Sequence, residues 1–288
     1  MKPKTMPIGT LLLIGMLAVS VQSIDIQTVN ATTYASGVFC PNNWKPLPPP
    51  YGAGDTANEL WLSQQACQYI HNYLDAHYDG YCYFYYGDTE PPNPPSNPRV
   101  YPSTYYNTLV ALEQSNNKVT IFSKGHCVPW GNGVHYKLLC TDDPDAATDN
   151  DIFLSTNQAK CRFNFIWHCG TARSYPVAPP YADEYGYIGM PLAFTHNVAM
   201  TKYGSSGPCV FLGWNWQSPQ FENRIPQNSN WQWAQLAVGV FYYMHYNNWS
   251  LGYTLNYLSN LIYGVNFNQS PLYNDLIVWG NMNMYLSY

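Results

Sequence analysis

Two reactive side chains follow closely on two short apolar segments of the chain. His126 comes four residues after Phe122 in VTIFSKGH, and Cys169 comes two residues after Trp167 in FNFIWHCG. A cysteine thiol with an ordinary pKa of about 8.5 is only slightly ionised at neutral pH, and a nearby imidazole raises its reactive fraction or protonates the leaving group. If the two segments are neighbouring strands of a parallel sheet, the imidazole and the thiol lie within reach of one substrate and form a dyad for acyl transfer.

Further residues complete this candidate site. Gly125 and Gly170 flank the two reactive residues and allow close backbone approach, so peptide N–H groups near the thiol can stabilise an oxyanion. His168, Trp214 and Asp151 are predicted to line the pocket, with Asp151 in an acidic stretch at its rim. An acidic rim would favour Lys or Arg in the substrate.

The elements that must position these residues follow an α/β pattern. A strand, a proline-rich loop, a helix and a strand succeed one another between residues 81 and 122; this βαβ unit implies parallel strands whose functional side chains meet at their carboxyl ends. We predict an α/β fold, a three-layer α/β/α sandwich with a mainly parallel central sheet. Strands are predicted at residues 81–86, 119–122, 163–167, 209–214 and 276–279, an excursion at 134–140, and helices starting near Thr56, Ser103, Ser229 and Ser250.

The amino-terminal region predicts export. Lys2 and Lys4 precede an apolar stretch at residues 8–19, and small residues precede a cleavage site after Ser23, which is the pattern of a signal peptide. We therefore expect a secreted or cell-surface protein. The predicted organisation is a signal peptide at 1–23, an extended arm rich in Thr, Asn and Pro at 24–54, and a single α/β domain at 55–288.

Composition and cysteine content narrow the function further. The chain carries 12 Lys and Arg against 17 Asp and Glu, a formal net charge of −5, and this acidic balance argues against nucleic-acid binding. The 8 cysteines, even in number and behind an export signal, favour disulfides. No segment after the signal approaches ~20 apolar residues, so we expect no membrane span. Triplets that fit the N-glycosylation sequon begin at Asn30, Asn248 and Asn268.

The two motifs resemble those of the caspase-like cysteine peptidases, the group that includes caspases, gingipains, clostripain and legumain. In that group an apolar strand ends in a histidine next to glycine, and a later strand ends in a cysteine with small neighbours. VTIFSKGHC is similar to the first block and FNFIWHCGTA to the second. CVFLGWNWQSP resembles the following strand and specificity loop, and LIVWGNMNMYL resembles the ending of gingipain-type domains.

This resemblance implies an α/β/α sandwich that hydrolyses peptide or protein substrates without a cofactor or metal. It implies Cys169 as the nucleophile, His126 as the acid/base, and amides near Gly125 and Cys169 as oxyanion donors. The chain departs from the family pattern at Cys127, where glycine usually follows the histidine, and at His168, where a small residue usually precedes the cysteine.

Two alternatives arise from the same residues. A disulfide between Cys127 and Cys169 would make the domain catalytically inactive, a caspase-like surface or adhesion protein. The pairs His126-Cys127 and His168-Cys169 also supply the ligand types of a tetrahedral zinc site, although no CxxC spacing supports one.

Overall fold

A computed structural model describes residues 32–41, 55–86, 100–130, 135–140, 143–173 and 188–286. The chain divides into two units, residues 1–32 and 33–288, and the helices and strands of the described residues all belong to the second unit. The predicted signal peptide lies outside the described residues. No helix in the described ranges has the length and apolar character needed to cross a bilayer.

Eleven strands and seven α-helices are found in the described residues. The strands are β1 (Tyr34–Cys40), β2 (Cys82–Tyr86), β3 (Lys118–Lys124), β4 (Cys127–Trp130), β5 (His135–Cys140), β6 (Asp143–Ala147), β7 (Cys161–Trp167), β8 (Val210–Trp214), β9 (Arg224–Ile225), β10 (Asn228–Gln232) and β11 (Leu276–Gly280). The helices are α1 (Ala57–His77), α2 (Pro102–Ser115), α3 (Asp149–Ser155), α4 (Met190–Thr195), α5 (Trp233–Tyr246), α6 (Leu251–Tyr263) and α7 (Leu272–Asp275).

Six strands form the central sheet, in the order β11-β8-β7-β3-β1-β2. All neighbouring pairs are parallel except β11, which runs antiparallel to β8 at the edge. This arrangement confirms the predicted α/β class and mainly parallel sheet. The strands predicted at 163–167, 209–214 and 276–279 correspond to β7, β8 and β11.

The hydrophobic core lies on both faces of this sheet. Alternate side chains of β3 and β7 point to opposite faces, so that Phe122 and Phe165 join one buried cluster while Ile121 and Ile166 join the other. Residues of α1, α5 and α6 pack on the first face, and residues of α2, α3 and α4 pack on the second. The arrangement is compatible with a three-layer sandwich.

Strand β1 corrects the predicted domain boundary. It lies within the segment 24–54 that was predicted to be an arm, yet it occupies an interior position between β3 and β2 and is almost wholly buried. A Cβ on Gly37 would come within 3.0 to 3.3 Å of Phe39, Leu112 and Ile121, so this strand packs tightly against its neighbours. The polar and proline-rich sequence on either side concealed a seven-residue strand.

Two of the four predicted helix-capping residues are confirmed. Thr56 and Ser250 accept hydrogen bonds from the third residue of the helix that follows, as predicted. Ser103 and Ser229 do not cap, because α2 begins after Tyr101 and Ser229 belongs to β10. The predicted excursion is a three-stranded antiparallel sheet, β4-β5-β6, inserted between β3 and α3.

Candidate active site

Strands β3 and β7 end side by side and deliver the two predicted residues to the same edge of the sheet. Lys124 and Trp167 are paired in the parallel register. His126 and Cys169 each follow two residues later, and neighbouring strands lie about 4.8 Å apart. The equal offset from a paired position brings the two turns to the same level above the sheet.

Two hydrogen bonds join these turns, each from a side chain of one turn to a backbone carbonyl of the other. His168 Nδ1 lies 2.6 Å from the carbonyl oxygen of His126, and Cys127 Sγ lies 2.5 Å from the carbonyl oxygen of Cys169. Each turn therefore contributes the side chain that holds the carbonyl of the other. Within the described residues, however, the His126 ring and the Cys169 thiol are not hydrogen-bonded to each other.

The imidazole of His126 is held by a buried carboxylate. Its Nε2 lies 2.7 Å from Asp55 Oδ1, and the exposed fraction is 20% for the His126 side chain but 2% for that of Asp55. Hydrogen bonding of Nε2 to a carboxylate leaves Nδ1 as the nitrogen able to take up a proton, and it fixes the ring orientation. Asp55 was not identified from the sequence, because it stands immediately before a helix cap and belongs to no motif.

The Cys169 thiol has its polar contacts on the loop that follows β8. The N–H of Ser218 donates to Cys169 Sγ at 3.3 Å, and the Ser218 hydroxyl lies 3.4 Å from the same sulfur. Cys169 is half-buried, so a substrate can reach it. A donor aimed at sulfur stabilises a negative charge there. The only sequence signal for Ser218 was its place in the CVFLGWNWQSP segment.

The two predicted oxyanion glycines have other roles. The N–H of Gly125 donates to the Trp167 carbonyl at 3.3 Å, and that of Gly170 donates to the Trp216 carbonyl at 2.6 Å. Neither amide is therefore open to a substrate in this arrangement, which corrects that prediction. Within the described part of the chain the N–H of Cys169 itself makes no hydrogen bond, and it remains the available donor.

Gly125 is required for packing. A Cβ at this position would lie 2.7 Å from Cε1 of His168, so any larger residue would displace the imidazole. Gly170 has φ +66°, in the left-handed region that favours glycine. Both glycines shape the turns that carry the reactive residues.

His168 is a buried support, which corrects its prediction as a pocket residue. Because a carbonyl oxygen only accepts, His168 Nδ1 carries the proton, and Nε2 accepts from the Ser123 hydroxyl at 2.7 Å. Ser123 in turn accepts from the Tyr105 hydroxyl at 2.6 Å. Burial lowers the pKa of His168 to about 3, so the ring is neutral at physiological pH. This chain of hydrogen bonds anchors the backbone of His126 to the core.

Trp214 and Asp151 also lie elsewhere than predicted. Trp214 is 1% exposed and packs against Trp167 and Trp233, so it belongs to the core. Asp151 lies in the first turn of α3, where it accepts hydrogen bonds from the hydroxyls of Thr148 and Tyr106. Its contacts stabilise a helix start and do not involve the two reactive residues.

A buried ion pair lies beneath the site. Lys124 Nζ is 2.8 Å from Glu59 Oε1, and the two side chains are 4% and 1% exposed. Burial alone would lower the pKa of Lys124, but the carboxylates of Glu59 and Asp55 raise it above its ordinary value. Glu59 also accepts from the N–H of Glu222 at 2.8 Å. The ion pair thereby joins β3 to the start of α1 and to the loop that carries Ser218.

The cysteines differ from the expected oxidised state. All eight lie in the described residues, and no disulfide joins any two of them. Cys127 does not bridge to Cys169, and burial raises its pKa well above the ordinary value, with the charge of Cys169 adding to the effect. Buried cysteines of this kind behave as small apolar residues.

Comparison of the chain with models of protein families and with curated proteins finds no match. The described ranges also contain no group of three or more His, Cys, Asp or Glu side chains placed to hold a metal ion. Both nitrogens of His168 are engaged with Ser123 and His126, as described above, so this ring is not open to a zinc ion. The arrangement can supply a thiol nucleophile, an oriented imidazole and a backbone donor.

Proposed function

We propose that this protein is an exported, caspase-like cysteine endopeptidase that cleaves peptide bonds through an acyl-enzyme on Cys169. One observation carries the proposal. His126 and Cys169 each stand two residues beyond a register-paired position on adjacent parallel strands, and each has a polar partner suited to catalysis. Asp55 orients the imidazole, and Ser218 donates to the sulfur.

The proposed reaction uses these groups in a fixed order. The Cys169 sulfur attacks the peptide carbonyl carbon, and the oxyanion that forms accepts from the N–H of Cys169. The thiol proton passes to Nδ1 of His126, which then protonates the departing amine while Asp55 holds Nε2. Water, deprotonated by the same imidazole, hydrolyses the thioester and restores the thiol. Because the two side chains are not hydrogen-bonded to each other, the proposal requires that a water molecule or the bound substrate relay this proton from the sulfur to Nδ1.

The order of the elements supports the caspase-like part of the proposal. The histidine follows β3 and the cysteine follows β7, the next strand of the central sheet along the chain, as the resemblance implies. The sheet is mainly parallel and has helices packed on both faces. The short loop after β8, which the resemblance assigns to specificity, contacts the thiol through Ser218.

The test is hydrolysis by matched cysteine variants. Cleavage of an unfolded protein substrate and of a fluorogenic peptide library is compared for the native chain, Cys169→Ala and Cys82→Ala. We expect Cys169→Ala to abolish turnover and Cys82→Ala, on the edge strand β2, to retain it. Hydrolysis that persists in folded Cys169→Ala would overturn the proposal.

A second candidate is a catalytically silent surface or adhesion domain. It is favoured by the amides of Gly125 and Gly170, which are already paired, and by the His126 ring, which is bonded to Asp55 and not to the thiol. This candidate predicts that Cys169 is alkylated no faster than an unperturbed thiol. Amino-terminal sequencing of the secreted product tests the export that both candidates share, with cleavage expected after Ser23.

A further inference from the structure

Two cysteines meet where α1 packs on the central sheet. Cys40 is the last residue of β1, and Cys67 lies in the middle of α1. The thiol of Cys67 is hydrogen-bonded to the sulfur of Cys40, and both side chains are fully buried in the same apolar cluster. We propose that these two cysteines are a modification site, joined by a disulfide during oxidative folding, and that this bond fastens α1 to β1.

The strand register places Cys40 on the sheet side of this contact. Phe39 is paired with Ser123 in the parallel register of β1 and β3, so the next residues, Cys40 and Lys124, stand beside each other at the carboxyl ends of the two strands. Lys124 Nζ reaches Glu59 of α1 at 2.8 Å. The end of β1 therefore lies under the same face of α1 that carries Glu59.

The helix spacing places Cys67 on the opposite side of the contact. Glu59, Ser63 and Cys67 recur at every fourth residue of α1, so they lie on one face of the helix, and all three are buried. The Ser63 hydroxyl donates to the Glu59 carboxylate at 3.2 Å, which confirms that this face is continuous. Cys67 thus faces the sheet from the same helix stripe that holds the ion pair with Lys124.

A second pair of cysteines provides a comparison. Cys161 begins β7 and Cys209 precedes β8, and their charges are close enough to interact. Within the described residues, however, these two thiols are not hydrogen-bonded to each other, and the Cys209 sulfur accepts instead from Asn197 Nδ2 at 3.4 Å. Cys161 and Cys209 are therefore expected to stay reduced under conditions that oxidise Cys40 and Cys67.

The proposed oxidation uses glutathione disulfide or another small disulfide as the oxidant. One cysteine thiolate attacks a sulfur of the oxidant and releases one glutathione thiolate, and the second cysteine thiolate then displaces the other glutathione and forms the S–S bond. The two cysteine thiols lose two protons and two electrons, and glutathione disulfide takes up both to become two thiols. Two thiols already in contact need little movement to reach the S–S bond length of about 2.05 Å.

Burial determines when this bond can form. Desolvation raises the pKa of Cys67 well above its ordinary value, and the hydrogen bond to Cys40 raises it further. A protonated thiol that solvent does not reach is a poor nucleophile. The oxidation therefore takes place while β1 and α1 are assembling, and the same burial then shields the disulfide from reductants.

The disulfide acts on the helix that supports the proposed peptidase site. Asp55, which holds the His126 ring, stands just before α1, and Glu59 lies in its first turn. A bond at Cys67, two turns further along, keeps this helix against the sheet. In the cell the modification rests on the proposed export, because an oxidising compartment preserves disulfides, but it does not depend on peptide hydrolysis.

The test is oxidative refolding of the full chain followed by thiol mapping. The reduced chain is refolded from urea with reduced and oxidised glutathione, the remaining thiols are alkylated in urea, and a peptic digest is analysed by mass spectrometry without reductant. We expect two peptides linked through Cys40 and Cys67, with Cys161 and Cys209 alkylated as the matched control. Cys169 should also be alkylated, as the peptidase proposal requires, so the same digest reports on the two proposals separately.

Thermal unfolding with and without dithiothreitol measures what the bond contributes. The disulfide closes the loop from residue 40 to residue 67, so we expect reduction to lower the unfolding temperature of the oxidised chain by about 5 to 10 °C. The double variant Cys40→Ala/Cys67→Ala should show no such shift, whereas Cys161→Ala/Cys209→Ala should shift as the native chain does.

Three results would overturn the proposal. Cys40 and Cys67 could both be alkylated in the refolded chain, or either could be linked to a different cysteine. Dithiothreitol could also lower the unfolding temperature of Cys40→Ala/Cys67→Ala as much as that of the native chain.

Discussion

At the carboxyl edge of the central sheet the basic side chains are paired with carboxylates, whereas at its amino edge three basic side chains gather around two cavities. At the carboxyl edge Lys124 is paired with Glu59 at 2.8 Å, and His126 is paired with Asp55 at 2.7 Å. At the amino edge Lys118 and Arg162 line both cavities, and no Asp or Glu of the described residues lines either of them. Both edges are built by the same strands, so the difference comes from the helices and loops that cover them.

The two edges differ in the part that they take in the proposed reaction. Buried pairs at the carboxyl edge orient groups for bond making, since a fixed imidazole and thiol need only a substrate placed between them. The basic side chains at the amino edge lie at the other end of the strands and take no part in the proposed reaction. Variants at the carboxyl edge therefore test that reaction directly.

The largest effect is expected for Asp55→Asn. The amide keeps the size of the side chain but no longer accepts as a carboxylate, so the His126 ring loses its preferred tautomer. We expect kcat for peptide hydrolysis to fall by about 10²- to 10⁴-fold. Equal activity of Asp55→Asn and the native chain would show that the bond to Asp55 has no part in the reaction.

The next effect concerns the buried ion pair. Glu59→Leu leaves Lys124 buried without its partner, and we expect the free energy of unfolding to fall by about 3 to 5 kcal/mol. The double variant Glu59→Leu/Lys124→Met should recover most of this loss, because it leaves no unpaired charge. Urea unfolding of the single and double variants measures the loss of stability and its recovery. A double variant no more stable than the single would contradict the explanation.

A smaller effect is expected from acid. Burial holds the pKa of His168 at about 3, below its ordinary 6.5, so the unfolded chain binds this proton more readily than the folded one. The stabilisation is complete above about pH 6.5 and is lost as the pH falls toward about 3. Between pH 6.5 and 5.5 the loss from this one group is about 1 kcal/mol.

The measurement is urea unfolding of the native chain and His168→Gln at several pH values in that range. Burial also lowers the pKa of His71, His77, His196 and His245, so both proteins lose stability in acid. The free energy of unfolding should fall more steeply with decreasing pH for the native chain than for His168→Gln. The two slopes should differ by at most one proton taken up on unfolding. Identical slopes for the two proteins would exclude His168 as the responsible group.

The smallest effect is expected for Ser218→Ala. The variant removes the hydroxyl at 3.4 Å but keeps the backbone N–H at 3.3 Å from the Cys169 sulfur. We expect alkylation of Cys169 to slow by no more than about threefold, because the stronger donor remains. Mass spectrometry after timed alkylation measures this rate, with Ser205→Ala as a control far from the thiol. If the alkylation rate of Cys169 falls tenfold or more, the Ser218 hydroxyl and not its N–H is the main donor to the sulfur.

Much of the fold could be predicted from local patterns. The apolar runs at 163–167 and 209–214 mark β7 and β8, because a buried strand of a parallel sheet is continuously hydrophobic. Strand β1 was missed because its sequence, YASGVFC, is short and its small residues are explained only by the neighbours they contact. Packing against β2 and β3, and not propensity, makes this segment a strand.

The sequence pointed to the two central residues of the candidate site, His126 and Cys169, but not to their hydrogen-bonding partners Asp55 and Ser218. Trp214 was placed in the pocket, yet it is the last residue of β8 and faces the core, while Trp216, two residues beyond the strand, is 55% exposed. A difference of two residues at the end of a strand decides between core and surface. Such boundaries depend on hydrogen bonding to the neighbouring strand, which sequence patterns do not contain.

The sequence by itself determined most of the strands of the central sheet, and it determined that His126 and Cys169 follow two buried strands, because hydrophobic periodicity is local. Only the tertiary structure decided that Asp55, 71 residues away, holds the imidazole of His126. Only the tertiary structure likewise gathered Lys118, Lys160 and Arg162 around one pocket in an acidic chain. Contacts between distant segments form where packed faces meet, and that meeting is set by the whole core.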